Sequence, residues 1–244
     1  MKKTNYLLGS LFTLLVCFLP AHAQAPDELQ AFQQAAGDHS ILYRGKQADR
    51  YNYLANGNPY WSDATFRLGD LLCEGKLYRD VPINIDARKQ RVLVQLSASM
   101  LAVSLTPEQV PSFTIGDRRF IGTGPGGALP EGFYEIIGSG PELIYKHIDK
   151  QLSSSTTNMN GDPIGYYDEN YRSNVTRYFA HKATYYFRDA AGVISRFKGR
   201  NALIRKFPGR KKEIRQALRA ARLDEPGTSF DTFCAAVLST ASSR

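Results

Sequence analysis

The chain has little of what would mark it as a stapled or metal-built protein: 3 cysteines and 4 histidines among 244 residues. Past residue 23, His39, His147 and His181 stand apart from one another and from acidic clusters. None falls in an H-E-x-x-H or other ligand spacing, so no metal site is predicted. The phosphate loop G-x-x-x-x-G-K-[ST] is missing, which leaves nucleotide hydrolysis without support, and so is the G-x-S-x-G elbow of a serine hydrolase. Gly138-Ser139-Gly140 is a loop tripeptide. Carboxylate pairs for glycoside cleavage leave no local signature and a Cys–His pair need not be local, so those two chemistries stay open on sequence alone. Past residue 19 no apolar run approaches the roughly 20 residues of a bilayer span. No repeat of solenoid period is present.

What is present begins with a leader. Met1-Lys2-Lys3 is basic, Tyr6 to Leu19 is largely apolar, and Ala21-His22-Ala23 is a small-x-small cleavage signal. Together they predict a secretory signal peptide over 1–23, cut before Gln24, and a chain exported to the periplasm or beyond. Leu14-Leu15-Val16-Cys17 faintly resembles a lipobox, but Val16 is bulky and an Ala-x-Ala site follows, so the leader reading holds. The 221 residues that remain fit one domain, and 43% hydrophobic content suffices for a core. The formal net charge is +8, or +6 without Lys2 and Lys3. Residues 196–222 carry eleven Lys and Arg against the single acid Glu213, so this segment is strongly positive and the rest of the exported chain is acidic.

Along the chain, residues 24–40 read as an N-terminal helical segment opened by Pro26 and closed by Gly37. Short alternating runs follow. The strongest hairpin turns at Glu74-Gly75, with Leu77, Val81, Ile83 and Ile85 expected on one face and Tyr78, Asp80, Asn84 and Asp86 on the other. Pro82 has no N–H to give, which predicts an edge or a bulge there. RVLVQL, SMLAVSL, VPSFTI, RRFIGT, GFYEIIGSG and PELIYKHI continue the pattern, with Gly116-Asp117 as a tight turn. Turn residues every eight to twelve positions, and no crossover helices, predict antiparallel pairing. Residues 151–170, rich in Ser, Thr, Asn and Gly, read as the longest loop. A last hairpin about Ala190-Ala191-Gly192 leads into two basic helices, the second with Ile214, Ala217, Leu218 and Ala221 as an apolar stripe, and then into a terminal helix, SFDTFCAAVLSTA.

Three features invite chemistry. Gly122-Thr123-Gly124-Pro125-Gly126-Gly127 satisfies G-x-G-x-x-G, but ALPEGFYEII follows it in place of a helix, so a flexible connection between strands is predicted and no dinucleotide cofactor. Cys73, in a predicted strand, and Cys234, in the terminal helix, either form a disulfide in an oxidising compartment or sit as two buried thiols, and the second reading is preferred. Lys206, Arg210, Lys211, Lys212 and Arg215 form a candidate anion-contact patch. Anionic envelope components, or an envelope protein, are the partners such a patch would meet, and nucleic acid is a poor partner for an exported chain. The competing account is a solvated helix face that keeps the protein soluble, since its apolar stripe lacks the Trp or Phe of an interfacial helix.

LYRGK, GNPYW, LLCEGKLYRDVPINID, QVPSFTIGDRRFI, GFYEII and FPGRKKEIRQALRAARLD together resemble a large family of uncharacterised exported proteins of Bacteroidota. That family carries an L-Y-N-G-K-like opening, a G-x-L-Y-x-x-V-P-L-x-Y-D-like strand and a basic helix near its C-terminus. The likeness spans most of 41–225. Arg44 replaces the usual Asn, Ile83-Asn84-Ile85 replaces Leu-x-Tyr, and the loop at 151–165 is longer. The resemblance implies compartment and architecture and supplies no catalytic residue.

The expected fold is α+β and mostly antiparallel: a meander sheet, sandwich or partial barrel with C-terminal helices, forming one domain over 41–244 that ends in a basic helical unit at 199–241. The expected function is that of a non-enzymatic envelope protein, a binding or accessory module with no cofactor. A hydrolase of an envelope polymer or glycan, and a carrier of an apolar ligand, are the alternatives.

Overall fold

The computed structural model describes residues 41–51, 55–96, 101–155 and 176–243. The expected leader, the helical segment at 24–40 and most of the Ser/Thr-rich loop lie outside the described residues. The sheet has eleven strands: β1 (Lys46–Gln47), β2 (Arg67–Cys73), β3 (Lys76–Asp86), β4 (Arg91–Gln95), β5 (Ala102–Leu105), β6 (Ser112–Ile115), β7 (Arg118–Thr123), β8 (Gly132–Ile137), β9 (Leu143–Ser155), β10 (Thr176–Arg188) and β11 (Ile194–Phe197). Every pairing between these strands is antiparallel, in the spatial order β1-β5-β4-β3-β2-β6-β7-β8-β9-β10-β11. After the sheet come α1 (Arg200–Ile204), a 3-10 turn at Pro208–Arg210, α2 (Lys211–Ala220) and α3 (Phe230–Ser242).

Turn chemistry fixes the meander. Glu74 and Gly75 both take positive φ, 49° and 79°, the two-residue hairpin geometry that matches strand twist. Gly116 does the same work between β6 and β7 at φ 59°. The bulge predicted near Pro82 lies two residues before it. Asp70 of β2 faces both Arg79 and Asp80 of β3, and Asp80 sits at φ 52°. The extra residue shifts the phase of the strand. Tyr78 is therefore buried on the same face as Val81, Ile83 and Ile85, while Leu77 is exposed, the reverse of strict alternation. A second departure is at 151–155, expected as loop: β9 and β10 pair over thirteen positions, from Leu143↔Arg188 to Ser155↔Thr176.

The sheet cannot be flat. Four inter-strand steps of about 4.8 Å separate β5 from β6, yet the connection between them is 106–111 and contains a turn, with Gln109 N and Val110 N both donating to Thr106 O. The sheet therefore curls. The segment 55–61 spans the mouth of the curl: Asn56 pairs with β10 at Tyr178, and Tyr60 pairs with the end of β3 at Asp86. Gln90 ties the same corner from within, its amide donating to Ala87 O and Ile148 O at 2.7 and 2.9 Å and accepting from Phe133 N at 3.0 Å. Lys150 N donates to Ala87 O, so β9 meets the end of β3.

The curl encloses one apolar core, in which Leu71, Ile83, Ile85, Val92, Val94, Phe113, Phe120, Phe133 and Ile148 meet with Trp61. Phe113 stacks on Phe120 at 4.8 Å and meets Phe133 edge-on. A second core joins Ile137, Ile144, Phe187 and Phe197 of the last strands to Leu203, Ile204, Phe207, Ile214, Leu218, Phe233, Val237 and Leu238 of the helical unit. The helices thus cover the far end of the sheet.

Candidate functional site

A row of polar side chains lies between these two cores. Register places Phe120, Glu135, Lys146, Tyr185 and Phe197 opposite one another across β7 to β11. The middle three are polar on strands whose same-face neighbours, Phe133, Ile137, Ile144 and Ile148, are apolar. Arg118 grips Glu135 with two parallel bonds, Nε to Oε1 at 2.6 Å and Nη2 to Oε2 at 2.7 Å. Lys146 Nζ lies 3.7 Å from Oε2 of that carboxylate and also bonds Asp231, in the first turn of α3. Tyr185 donates to Asp231 Oδ1 at 2.9 Å, and burial followed by this carboxylate pushes its phenol well above the ordinary tyrosine range. Two cations and two carboxylates therefore neutralise one another around a helix start, where an acid is favoured by the helix dipole. Ser229 caps the same helix through Thr232 N at 3.1 Å.

This row clamps β7, β8, β9 and β10 to the start of α3. Each of its charged groups has a partner within the row. Trp61 flanks it, with Lys146 Nζ 6.0 Å from its ring and Phe120 edge-on at 5.4 Å. Its Nε1 is the one buried side-chain nitrogen or oxygen among the described residues without a hydrogen-bond partner. Further along the inner face Lys150 is buried, bonded to Asn58 Oδ1 at 3.1 Å, and burial lowers its pKa.

The basic patch divides when its residues are placed individually. Lys206 donates to Ser195 Oγ at 2.7 Å. Arg210 holds Glu213 at 2.6 and 2.9 Å and donates to the carbonyls of Ala241 and Ser243, so it fastens α2 to the end of α3 and is not a free contact. Lys211, Lys212 and Arg215 are exposed and form no ion pair among the described residues. Arg219 extends the same face, 4.0 Å from Asp224. These four cations, with no acid among them, line a groove of about 720 Å³ along α2. The helix keeps its apolar side, Ile214 and Leu218, buried in the second core.

The remaining sequence features are structural. The glycine-rich run at 122–127 ends β7 and turns into β8, with no helix after it. Gly122 is required by close approach, since a Cβ there would lie 2.2 Å from Val110 O. Cys73 and Cys234 are free and buried, one in each core, so the candidate disulfide is absent. Burial is the main cause that lifts their thiols, to about 11 and about 12, which keeps them protonated and unreactive at neutral pH. His147 donates Nδ1–H to Phe133 O at 3.1 Å, stacks against Tyr134, and has its pKa lowered by burial. Among the described residues no group of three or more His, Cys, Asp or Glu is placed to hold a metal ion. No described helix is long and apolar enough to cross a membrane.

Pattern reading passed over Glu135 and Lys146, though the signal was there. Each charge interrupts an alternation that is otherwise apolar, Phe133-x-Glu135-x-Ile137 and Ile144-x-Lys146-x-Ile148. A charge at an inward position of two neighbouring strands predicts a pair. No protein-family model, no curated protein and no solved structure matches the chain.

Proposed function

We propose that the chain is an exported, non-enzymatic binding module of the cell envelope, and that the outer face of α2 is where it meets an anionic component. The observation that carries this reading is the row of cations on α2, Lys211, Lys212, Arg215 and Arg219, gathered along one groove without an acid among them. Two exposed cations of the sheet half, by contrast, hold close acids, Arg67–Asp63 and Lys89–Asp49 at 2.6 Å. A face left positive attracts polyanions over about a Debye length, roughly 10 Å at 0.1 M salt. The internal neutralisation of the charged row supports a non-catalytic reading. The leader-like N-terminus supports export, and the motifs shared with the Bacteroidota family support a common architecture. The curl fastened by Gln90 favours a partial barrel over two stacked sheets.

The test is retention of the exported chain by anionic ligands, immobilised acidic polysaccharide and anionic vesicles, at 50 mM salt. The triple variant Lys211→Glu/Lys212→Glu/Arg215→Glu is expected to lose binding at least tenfold to whichever ligand the wild type holds. Equal retention of wild type and variant, or no retention of either, ends the reading.

A further inference from the structure

We infer that the α2 face binds a linear polyanion of the acidic-polysaccharide kind, with a negative charge on each repeat, and not a bilayer or a single anion; this rests on the anion-contact reading above. Three observations converge on it. First, the cations form a line. Lys211, Arg215 and Arg219 follow at i, i+4 and i+8, so the charges step along the axis by about 6 Å and turn by only about 40° each time. A chain carrying regularly spaced charges lies along such a line, whereas a single phosphate or carboxylate meets one step of it.

Second, the arrangement strains the helix that carries it. Lys211 and Lys212 occupy the first turn of α2, where the helix dipole favours acids. The pairs Lys211/Arg215 and Arg215/Arg219 set like charges at the spacing that destabilises a helix. The acid of that first turn, Glu213, is held by Arg210. A merely solubilising face gains nothing from this ordering, while an anionic chain relieves all of it at once.

Third, the surface suits a polymer better than a membrane. Interfacial helices insert an apolar side, but Ile214 and Leu218 of α2 are already buried. Among the described residues the large exposed apolar side chains, Leu68, Leu77, Leu101, Tyr178 and Val193, belong to the sheet and its connections, none of them to the helical unit. The groove is bordered instead by Pro208, Gly209 and Gln216, small or polar neighbours that leave room for a sugar chain.

The experiment titrates the exported chain with uronate and sulfated oligosaccharides of one, four and ten units, and in parallel with vesicles containing anionic phospholipid. Binding of the ten-unit chain, absent for the single unit, is expected. Its logarithmic affinity should fall with log salt at a slope of about 3, as three to four contacts release counterions. Arg215→Glu should lower that affinity at least tenfold while raising Tm by about 1–2 °C, since this one change turns both like-charge pairs, with Lys211 and with Arg219, into opposite-charge pairs. Lost binding with an unchanged or higher Tm separates a contact from a folding defect. Equal binding of single unit and ten-unit chain overturns the inference, as does a variant that keeps the affinity. Binding to vesicles and to neither oligosaccharide overturns it too but leaves the anion-contact reading standing. Binding to none of the probes removes both.

Discussion

The two cores are built by opposite means. The first draws its side chains from positions spread over the chain from Leu42 to Ile148 and closes only when many strands meet. The second takes most of its residues from 197–238, a continuous stretch laid on a few strand residues. One core is closed by topology and the other by local helix packing, and the charged row lies on the line between them. The difference teaches that the sheet half stands or falls as one unit, while the helical half is fastened at identifiable points.

The sharpest way to break the comparison is to hollow each core in turn. Phe120 is 2% exposed and touches Phe113 and Trp61, so Phe120→Ala should cost about 4 kcal/mol. By hydrogen exchange it should lower protection in β2–β9 and in the helices together, because the helices need the sheet beneath them. Ile214→Ala should cost about 3 kcal/mol and expose mainly α2 and α3. Uniform loss of protection in the second variant would show that the two cores are one cooperative unit. Next in size is the clamp. Lys146→Met leaves Asp231 with Tyr185 alone and Glu135 with Arg118 alone, at a cost of about 2–3 kcal/mol, less than a fully orphaned buried charge because both carboxylates keep a partner. Urea unfolding should show the loss, and exchange should place it first at the start of α3.

Much of this architecture was legible in the chain. Turn residues at Glu74-Gly75 and Gly116-Asp117, and Ile214 and Leu218 of the α2 stripe, follow from local chemistry, and the folded chain keeps them, whereas β4 and β8 are buried on both faces. What stayed hidden needed partners from far away. The phase of β3 at Leu77 and Tyr78 depends on a bulge against β2, which a strict period of two cannot show. Gln90 looks like an ordinary turn residue, and only the arrival of β8 and β9 makes its amide a fastener. The basic patch was visible as composition, but separating Arg210, a helix tie, from Lys211 and Arg215 required knowing that α3 ends beside it.

Gln90 offers a smaller and cleaner test of closure. Gln90→Ala removes three bonds to Ala87, Ile148 and Phe133 and leaves Phe133 N without its acceptor, for about 2 kcal/mol. As with Phe120→Ala, the loss should reach the sheet half and the helices that rest on it together. A loss confined to the ends of β3 and β4 would mean that the corner is not where the first core closes.

The smallest effect separates the halves by charge state. The helical unit contains no histidine, whereas β9 carries His147 and β10 carries His181. Burial lowers the pKa of His147, so the folded chain binds its proton less readily than the unfolded chain does. The unfolded state therefore takes up more protons as pH falls from the ordinary histidine value near 6.5 toward the lower folded value, and stability declines across that window. Above it both states are neutral at this site and the term vanishes. His181 shifts in the same direction, through burial and then Lys150 and Lys146, so the comparison must be made in one background. The urea midpoint of His147→Gln should drop less between pH 7.5 and 5.5 than that of the wild type. The added loss of exchange protection in the wild type should fall on β8 and β9 and not on α2. Identical acid shifts for the two proteins would mean that the proton is taken up elsewhere, and that the sheet half does not yield to acid at His147.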